Sequence, residues 1–326
     1  MSFRVVIAGR PDSFQASAGE SILDAGRRAG FSFPQACRNG NCLRCEGLLT
    51  RGAVVHLRQG AETDSAKTGT CPVLPCIVAA RSDCELTMQG VYGPGELPVV
   101  DVAAQVIEVQ PLTPHVACIR LRLPAGRRIA RLAGQYLEIL DGDRAYAFSM
   151  ASPPASGRDV ELHLGHGGEN PDSMAVLALL QREPVVRVRL PLGDCTLVNE
   201  PRLPLIIVAG ATGFAQAQAL VEHMQASHWC TPVTLYWAVR TADDMYLPEK
   251  PLHWQATRPD FRFVPVTTQD GTRIQDVVLA DGHDPGRRLV YACGSPAMVY
   301  ALCDALVAAG LPVDRMFSDV FAWAPR

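Results

Sequence analysis

The chain has 326 residues, 48% of them hydrophobic and 19% charged, with a formal net charge of −3 at pH 7. That length exceeds one ordinary core and suits two or three domains, and the composition is globular rather than disordered. So mild a charge gives no reason to expect nucleic acid or an anionic membrane as partner. The amino-terminal MSFRVVIAGRPDSF lacks a charged head followed by a long apolar stretch, and no run approaches bilayer length, so a cytoplasmic protein without a membrane partner is expected. Eleven cysteines, an odd number without an export signal, point to thiols and metal ligands rather than a disulfide framework.

In chain order, alternating FRVVIAG and a turn at SAGES lead to a helical pattern, SILDAGRRAG, with Ser21 as N-cap and Gly30 as stop. Cysteines crowd into CRNGNCLRC (37–45). GPGELP (93–98) breaks every periodic pattern and reads as a linker. From Val99 to about Val198 short alternating stretches follow, VVDVAAQVIEVQ, HVACIRLRL, GQYLEIL, RAYAFSM, DVELHLG and VVRVRLPL, interrupted by one helical pattern, SMAVLALLQ. They predict an antiparallel barrel. After Pro201 continuous apolar runs alternate with helices: PLIIVAGATG, FAQAQALVEHM, VTLYWAVR, FRFVPVT, RLVYACG and PAMVYALCDALVAAG. That texture predicts buried parallel strands covered by helices on both faces.

Cys37, Cys42, Cys45 and Cys76 follow the C-x4-C-x2-C…C spacing of a plant-type [2Fe–2S] centre. One loop must wrap a compact cluster and aim backbone N–H groups at its sulfurs, and Gly40 permits the wrapping. Structural zinc sites usually draw their ligands as two separated pairs, whereas here three thiols sit together with one remote. A Rieske centre needs two histidines, and none lies near these cysteines. Cys71, five residues before Cys76, is the rival fourth ligand.

On these residues, positions 1–92 resemble a plant-type ferredoxin and the remainder resembles a ferredoxin-NADP reductase-type flavoprotein. Fused in this order, the chain is similar to the single-chain reductase components of bacterial oxygenases and to CDP-6-deoxy-hexulose dehydrase reductases. The resemblance implies a β-grasp ferredoxin domain (1–92), a linker (93–98), an antiparallel Greek-key β-barrel for FAD (99–200) and an α/β parallel-sheet domain for NAD(P)H (201–326). It implies electron flow from NAD(P)H through FAD to the cluster and on to a partner protein, an oxygenase or dehydratase component. The segment around Cys76 also resembles the one that carries the last ligand in plant-type ferredoxins, so Cys76 is preferred to Cys71.

In such flavoproteins an R-x-[YF]-S-x-x-[SN] strand holds the flavin. Here Arg144, Tyr146, Phe148, Ser149 and Ser152 occupy the segment. Aligning Phe148-Ser149 and Ser152 with the motif places Tyr146 where arginine belongs; Arg144 lies two residues before, on the same strand face. The resemblance gives Phe148 the ring face and Ser149 the neighbourhood of N5. On the next strand relatives carry a cation after the equivalent of Leu162-His163-Leu164; His163 is taken as a cofactor contact there, and His166 substitutes only when protonated. Phosphate binding is then assigned to backbone N–H groups and the hydroxyl at the helix starting near Ser173.

For the nicotinamide, Gly210, Thr212 and Gly213 stand in a strand–turn–helix, with Ala211 and Gln216 replacing the second glycine and the proline of G-G-T-G-x-x-P. Cys293, Gly294 and Pro296 form a second strand end, whose cysteine the resemblance places beside the hydride-donating carbon. Arg240 is expected at the adenosine ribose; no clear cluster for a 2′-phosphate surrounds it, so NADH is preferred over NADPH. Phe321, with Trp323 as substitute, is expected on the flavin's second face, and Asp319 stands where relatives carry glutamate. The missing cations leave one rival reading, a cluster-bearing redox sensor or docking protein with a degenerate flavin site.

Overall fold

A computed structural model describes residues 2–35, 38–41, 43–94, 96–126, 129–166 and 171–326. It divides into two compact units, residues 1–98 and 99–326. In the first, β1 (Ser2–Ile7) and β2 (Ser13–Ser17) form a hairpin, and α1 (Ile22–Arg28) begins where the Ser21 hydroxyl accepts from the Asp24 N–H. Gly30 closes that helix at φ 85°, as the sequence predicts. Then come β3 (Gly47–Arg51), β4 (Ala53–His56), β5 (Glu62–Asp64), the short α2 (Ser65–Thr68), β6 (Cys71–Val73), β7 (Val78–Ala80) and β8 (Cys84–Thr87). Five strands build one sheet in the order β2-β1-β8-β3-β6, with β1 and β8 parallel, and β5-β4-β7 build a smaller one. Ile22, Leu23, Phe14, Phe31 and Phe33 fill the space between helix and sheet. This is the β-grasp arrangement. Its chain crossing brings the loop before β3 beside the turn that carries Cys76.

The second unit begins with six antiparallel strands: β9 (Val100–Thr113), β10 (Val116–Arg122), β11 (Tyr136–Asp141), β12 (Arg144–Ser149), β13 (Asp159–Gly165) and β14 (Val185–Leu192), with α3 (Pro171–Arg182) before the last. Their order is β12-β11-β14-β9-β10-β13, and a bridge between Met150 and Leu162 joins the two ends. Alternation decides the closure: Ile119, Leu121, Leu137, Ile139, Val160, Leu162 and Val188 point inward and pack as one core.

The chain continues as β15 (Leu205–Gly210), α4 (Phe214–Ala226), β16 (Val233–Val239), α5 (Glu249–Thr257), β17 (Phe261–Thr267), α6 (Ile274–Ala280), β18 (Leu289–Cys293), α7 (Pro296–Ala308), β19 (Met316–Phe317) and α8 (Val320–Trp323). All five strands are parallel, in the order β17-β16-β15-β18-β19. The order reverses at β15, so the carboxyl ends of β15 and β18 flank the switch point where such sheets bind ligands.

Candidate functional site

Cys45 and Cys76 are buried, and the Cys45 thiol donates to Cys76 Sγ at 3.2 Å. Two of the four predicted thiols therefore meet across the two arms of the ferredoxin-like unit; Cys37 and Cys42 lie outside the described residues. The chain before Cys45 turns through left-handed backbone at Arg38 (φ 56°), Gly40 (φ 93°) and Leu43 (φ 59°). A Cβ on Gly40 would stand 2.6 Å from Ile77 Cδ1, so the loop is pressed onto the Cys76 turn. Cys71 sits differently, on β6 opposite Leu49, with the Thr68 hydroxyl 3.6 Å from its sulfur. Two converging buried thiols on a tightly wrapped loop fit an iron–sulfur cluster.

On the barrel, Tyr146 and Phe148 are half-buried and pack against its core. Ser149 is the last residue of β12 and lies opposite Tyr136. Arg144 has its side chain 70% exposed, and its guanidinium is 3.6 Å from Asp172 in the first turn of α3. The strand cation and the helix start thus lie together, next to Ser173. Ser152 is occupied by the backbone: its hydroxyl accepts from the Glu161 N–H at 3.0 Å and donates to the Asp159 carbonyl at 3.4 Å.

Expectation and structure part at His163. Its side chain is fully buried and both ring nitrogens are taken, Nδ1 by the Tyr246 hydroxyl at 2.9 Å and Nε2 by Glu161 Oε1 at 3.0 Å. Because β-strand side chains alternate, Glu161 and His163 point away from the barrel core, which Leu162 and Leu164 fill. His163 is therefore a strut between the barrel and the parallel-sheet region and is closed to a cofactor phosphate. Gly165, where relatives carry a cation, has its own reason: a Cβ there would come 3.2 Å from Thr212 Cγ2, so the turn after β15 occupies the space.

That turn is where two chain segments nearly touch. A Cβ on Gly213 would lie 2.0 Å from the Cys293 carbonyl oxygen, and one on Gly210 would lie 2.6 Å from Met298 Sδ and 3.8 Å from Gly294 Cα. Sequence pattern placed both segments at strand ends; the structure packs them backbone to backbone. Ala211, standing in for glycine, adopts φ 46° and is pinned by the Trp237 indole N–H donating to its carbonyl at 3.0 Å. Ser295 caps α7, and Pro296 is its first residue.

Two crevices open from this junction. One of about 390 Å³ runs along the carboxyl ends of β15 to β17 and is lined by Gly210, Arg240, Thr268, Thr272, Arg273 and Ser295. The other, about 480 Å³, lies between the junction and the barrel and is lined by Thr113, His115, Gly165, Thr212, Arg240 and Tyr246. Arg240 borders both. A third cavity, about 330 Å³, lies at the opposite end of the sheet, beside Pro204, Pro232 and Pro259, away from these residues. Arg273 was not singled out by sequence; the strand-to-helix step after FRFVPVT is the signal that would have found it.

Cys293 is buried, and burial, reinforced by the charge of Asp319, pushes its thiol far above the ordinary range. It is a neutral, apolar wall. Asp319 itself is raised to about 6 by burial and further by Asp194, against the pull of the Gln216 amide and the Cys195 backbone N–H. Its position is fixed by the barrel, since a Cβ on Gly193 would lie 3.2 Å from Asp319 Oδ1 and 2.8 Å from the Tyr136 ring. Two residues on, Phe321 packs on Tyr300 (ring centroids 5.6 Å), and Trp323 is 64% exposed.

The profile of the 2Fe-2S iron-sulfur cluster binding domain matches residues 5–81, and that of the oxidoreductase NAD-binding domain matches residues 207–304. The chain is 30% identical to the terephthalate 1,2-dioxygenase reductase component 1 of Comamonas sp., over 100% of this chain and 99% of that one. The chain belongs to this reductase-component family. The reductase is also 27% identical to the CDP-6-deoxy-L-threo-D-glycero-4-hexulose-3-dehydrase reductase of Yersinia pestis, over 98% and 99% of the two chains. A cytochrome P450 reductase of Amycolatopsis shares its fold, with a TM-score of 0.63 and 24% identity over 97% of this chain and 98% of that one. The reductase is an iron–sulfur oxidoreductase with a nicotinamide-nucleotide-binding domain.

Between barrel and parallel sheet the reductase buries a polar chain. Glu161 accepts from His163 and from the Gln218 amide at 3.0 Å. Burial alone would raise its carboxyl, yet the bond and charge of His163, followed by Lys250 and Gln218, bring it down to about 2. Cys118, directly opposite His163 across β10 and β13, is pushed up to about 12 by burial and stays a thiol. Cys118, Glu161 and His163 place ligand atoms within 4.8 Å of one another, but both histidine nitrogens already serve protein partners. The cluster is a hydrogen-bonded joint.

Proposed function

We propose that the reductase carries electrons from NADH through FAD to a [2Fe–2S] cluster and on to an oxygenase or dehydratase component, in the cytoplasm. The observation that carries this reading is the junction where Gly210, Gly213, Cys293 and Gly294 pack together beside the barrel. It leaves a crevice on each side, one suited to a dinucleotide and one facing the barrel. When bound, FAD supplies the conversion of a two-electron hydride into single electrons, which an iron–sulfur cluster accepts one at a time.

The chain's own groups bind, orient and exclude water. Backbone N–H groups at Gly210, Thr212 and Gly213 receive the dinucleotide diphosphate. Cys293 and Gly294 wall the nicotinamide, with Pro296 preorganising the helix behind them. Tyr146 and Phe148 give the flavin an apolar face, Ser149 orients its N5 edge, and Phe321 is assigned to the second face. Arg144, Ser173 and the start of α3 take the FAD diphosphate; Asp172 beside them weakens that site. Cys37, Cys42, Cys45 and Cys76 hold the cluster. The proposed modules are 1–92, 99–200 and 201–326, with 93–98 as linker.

NADH is preferred because carboxylates already occupy the arginines of the dinucleotide crevice. Arg273 is held by Asp276 at 2.8 Å and 3.3 Å, and Arg240 lies 3.9 Å from Asp244. A 2′-phosphate would have to compete with both, at a modest cost, since exposed pairs of this kind are worth at most about 1 kcal/mol each. The test is steady-state turnover with NADH or NADPH, using ferricyanide and cytochrome c as acceptors, in the wild type and Cys45→Ser. The reading expects a higher kcat/KM with NADH, and a variant that keeps ferricyanide reduction while losing cytochrome c reduction. Equal loss of both activities in correctly folded, FAD-replete Cys45→Ser would overturn it.

A further inference from the structure

Gln216 is 3% exposed, in the first turn of α4. Its amide nitrogen donates twice, to the Gly134 carbonyl at 2.8 Å and to Asp319 Oδ2 at 2.7 Å. Gly134 belongs to the barrel turn before β11, and Asp319 to the carboxy-terminal segment before α8. One side chain therefore ties three segments that are far apart in sequence. The proline of the related turn has no side-chain donor and could make neither bond.

We propose that Gln216 is a positioning residue: it fixes the Asp319 carboxylate against the barrel beside Tyr136 and Gly193, at the edge of the proposed flavin site. The groups that face this carboxylate are few. Tyr136 comes from β11, Asp194 and the Cys195 N–H from the segment after β14, Cys293 from β18, and Gln216 from α4. No cation among the described residues acts on it. With burial and Asp194 opposing ionisation, the Gln216 amide is the main side-chain group favouring it. Gln216 thereby sets the pH at which Asp319 Oδ2 holds or releases a proton. Only the catalytic consequence rests on the flavin assignment above; the tie itself does not.

The test uses the full FAD-loaded chain. Infrared titration follows the protonated-carboxyl band of Asp319, assigned by its loss in Asp319→Asn, in the wild type, Gln216→Met and Gln216→Leu. Gln216→Met removes the donor at similar size and should raise the midpoint by about one pH unit, a roughly tenfold weaker acid. Gln216→Leu removes the donor with an apolar side chain of different shape and should raise it too, so the result does not depend on one variant folding. The pH profile of kcat for NADH-dependent ferricyanide reduction should shift the same way, with KM for NADH little changed. An unshifted midpoint in the folded variants would overturn the proposal and leave Gln216 as packing alone. A shifted midpoint in a protein whose FAD NADH fails to reduce would keep the tie and sink the flavin reading.

Discussion

Ala211 and Gly213 sit two positions apart, and their backbones demand opposite things. Ala211 holds a left-handed φ of 46°, which costs an alanine about 1 kcal/mol. Ala211→Gly should relieve that strain, offset in part by the freer unfolded chain, for a net gain of about 0.5 kcal/mol and one or two degrees in unfolding temperature. Gly213 has ordinary helical φ, −58°, so its constraint is contact rather than conformation. Gly213→Ala drives a methyl group into the Cys293 carbonyl, which is backbone and cannot swing aside. We expect a loss of about 2–3 kcal/mol by thermal unfolding and a raised KM for NADH as the two loops separate. A Gly213→Ala protein with wild-type stability and KM would show that the loops tolerate a wider spacing.

β13 shows how a strand serves two neighbours at once, sending Val160, Leu162 and Leu164 into the barrel while Glu161 and His163 meet α4 and Tyr246. Because the folded Glu161 carboxyl lies near 2, below its ordinary 4.5, it stabilises the native state above about pH 4.5, and that contribution is lost as pH falls toward 2. Acid titration of stability should therefore be shallower in Glu161→Gln than in the wild type between those limits. Tyr246→Phe leaves His163 Nδ1 without its partner in a buried site and should cost about 1–3 kcal/mol by denaturant unfolding. The barrel strands were legible because their alternation is strong, and β15, α4, β16, β17, β18 and α7 because their apolar runs are long. α5 was missed because Pro251 interrupts its pattern, and β4 to β7 because each is only three or four residues long. The joint itself was not legible: His163 and Tyr246 are 83 residues apart, and Gln216 and Asp319 are 103 apart. No local pattern encodes such pairs. His163 misled because a match in strand position does not show that its side chain turns to Tyr246 and Glu161.

Over the whole chain, the ferredoxin-like unit closes a core of its own and the barrel–nucleotide unit closes two. Residues 99–326 expressed alone should keep NADH-dependent ferricyanide reduction and lose cytochrome c reduction. Loss of both in a folded, FAD-replete fragment would mean that the first unit completes the flavin site. The central claim, that one chain joins nicotinamide oxidation to a one-electron iron–sulfur carrier, is tested most directly by anaerobic NADH titration followed by absorption and electron paramagnetic resonance. The account predicts bleaching of both the flavin and the iron–sulfur bands, with a [2Fe–2S]⁺ resonance appearing as NADH is added. Protein replete in FAD, iron and acid-labile sulfide in which NADH bleaches neither chromophore would contradict it.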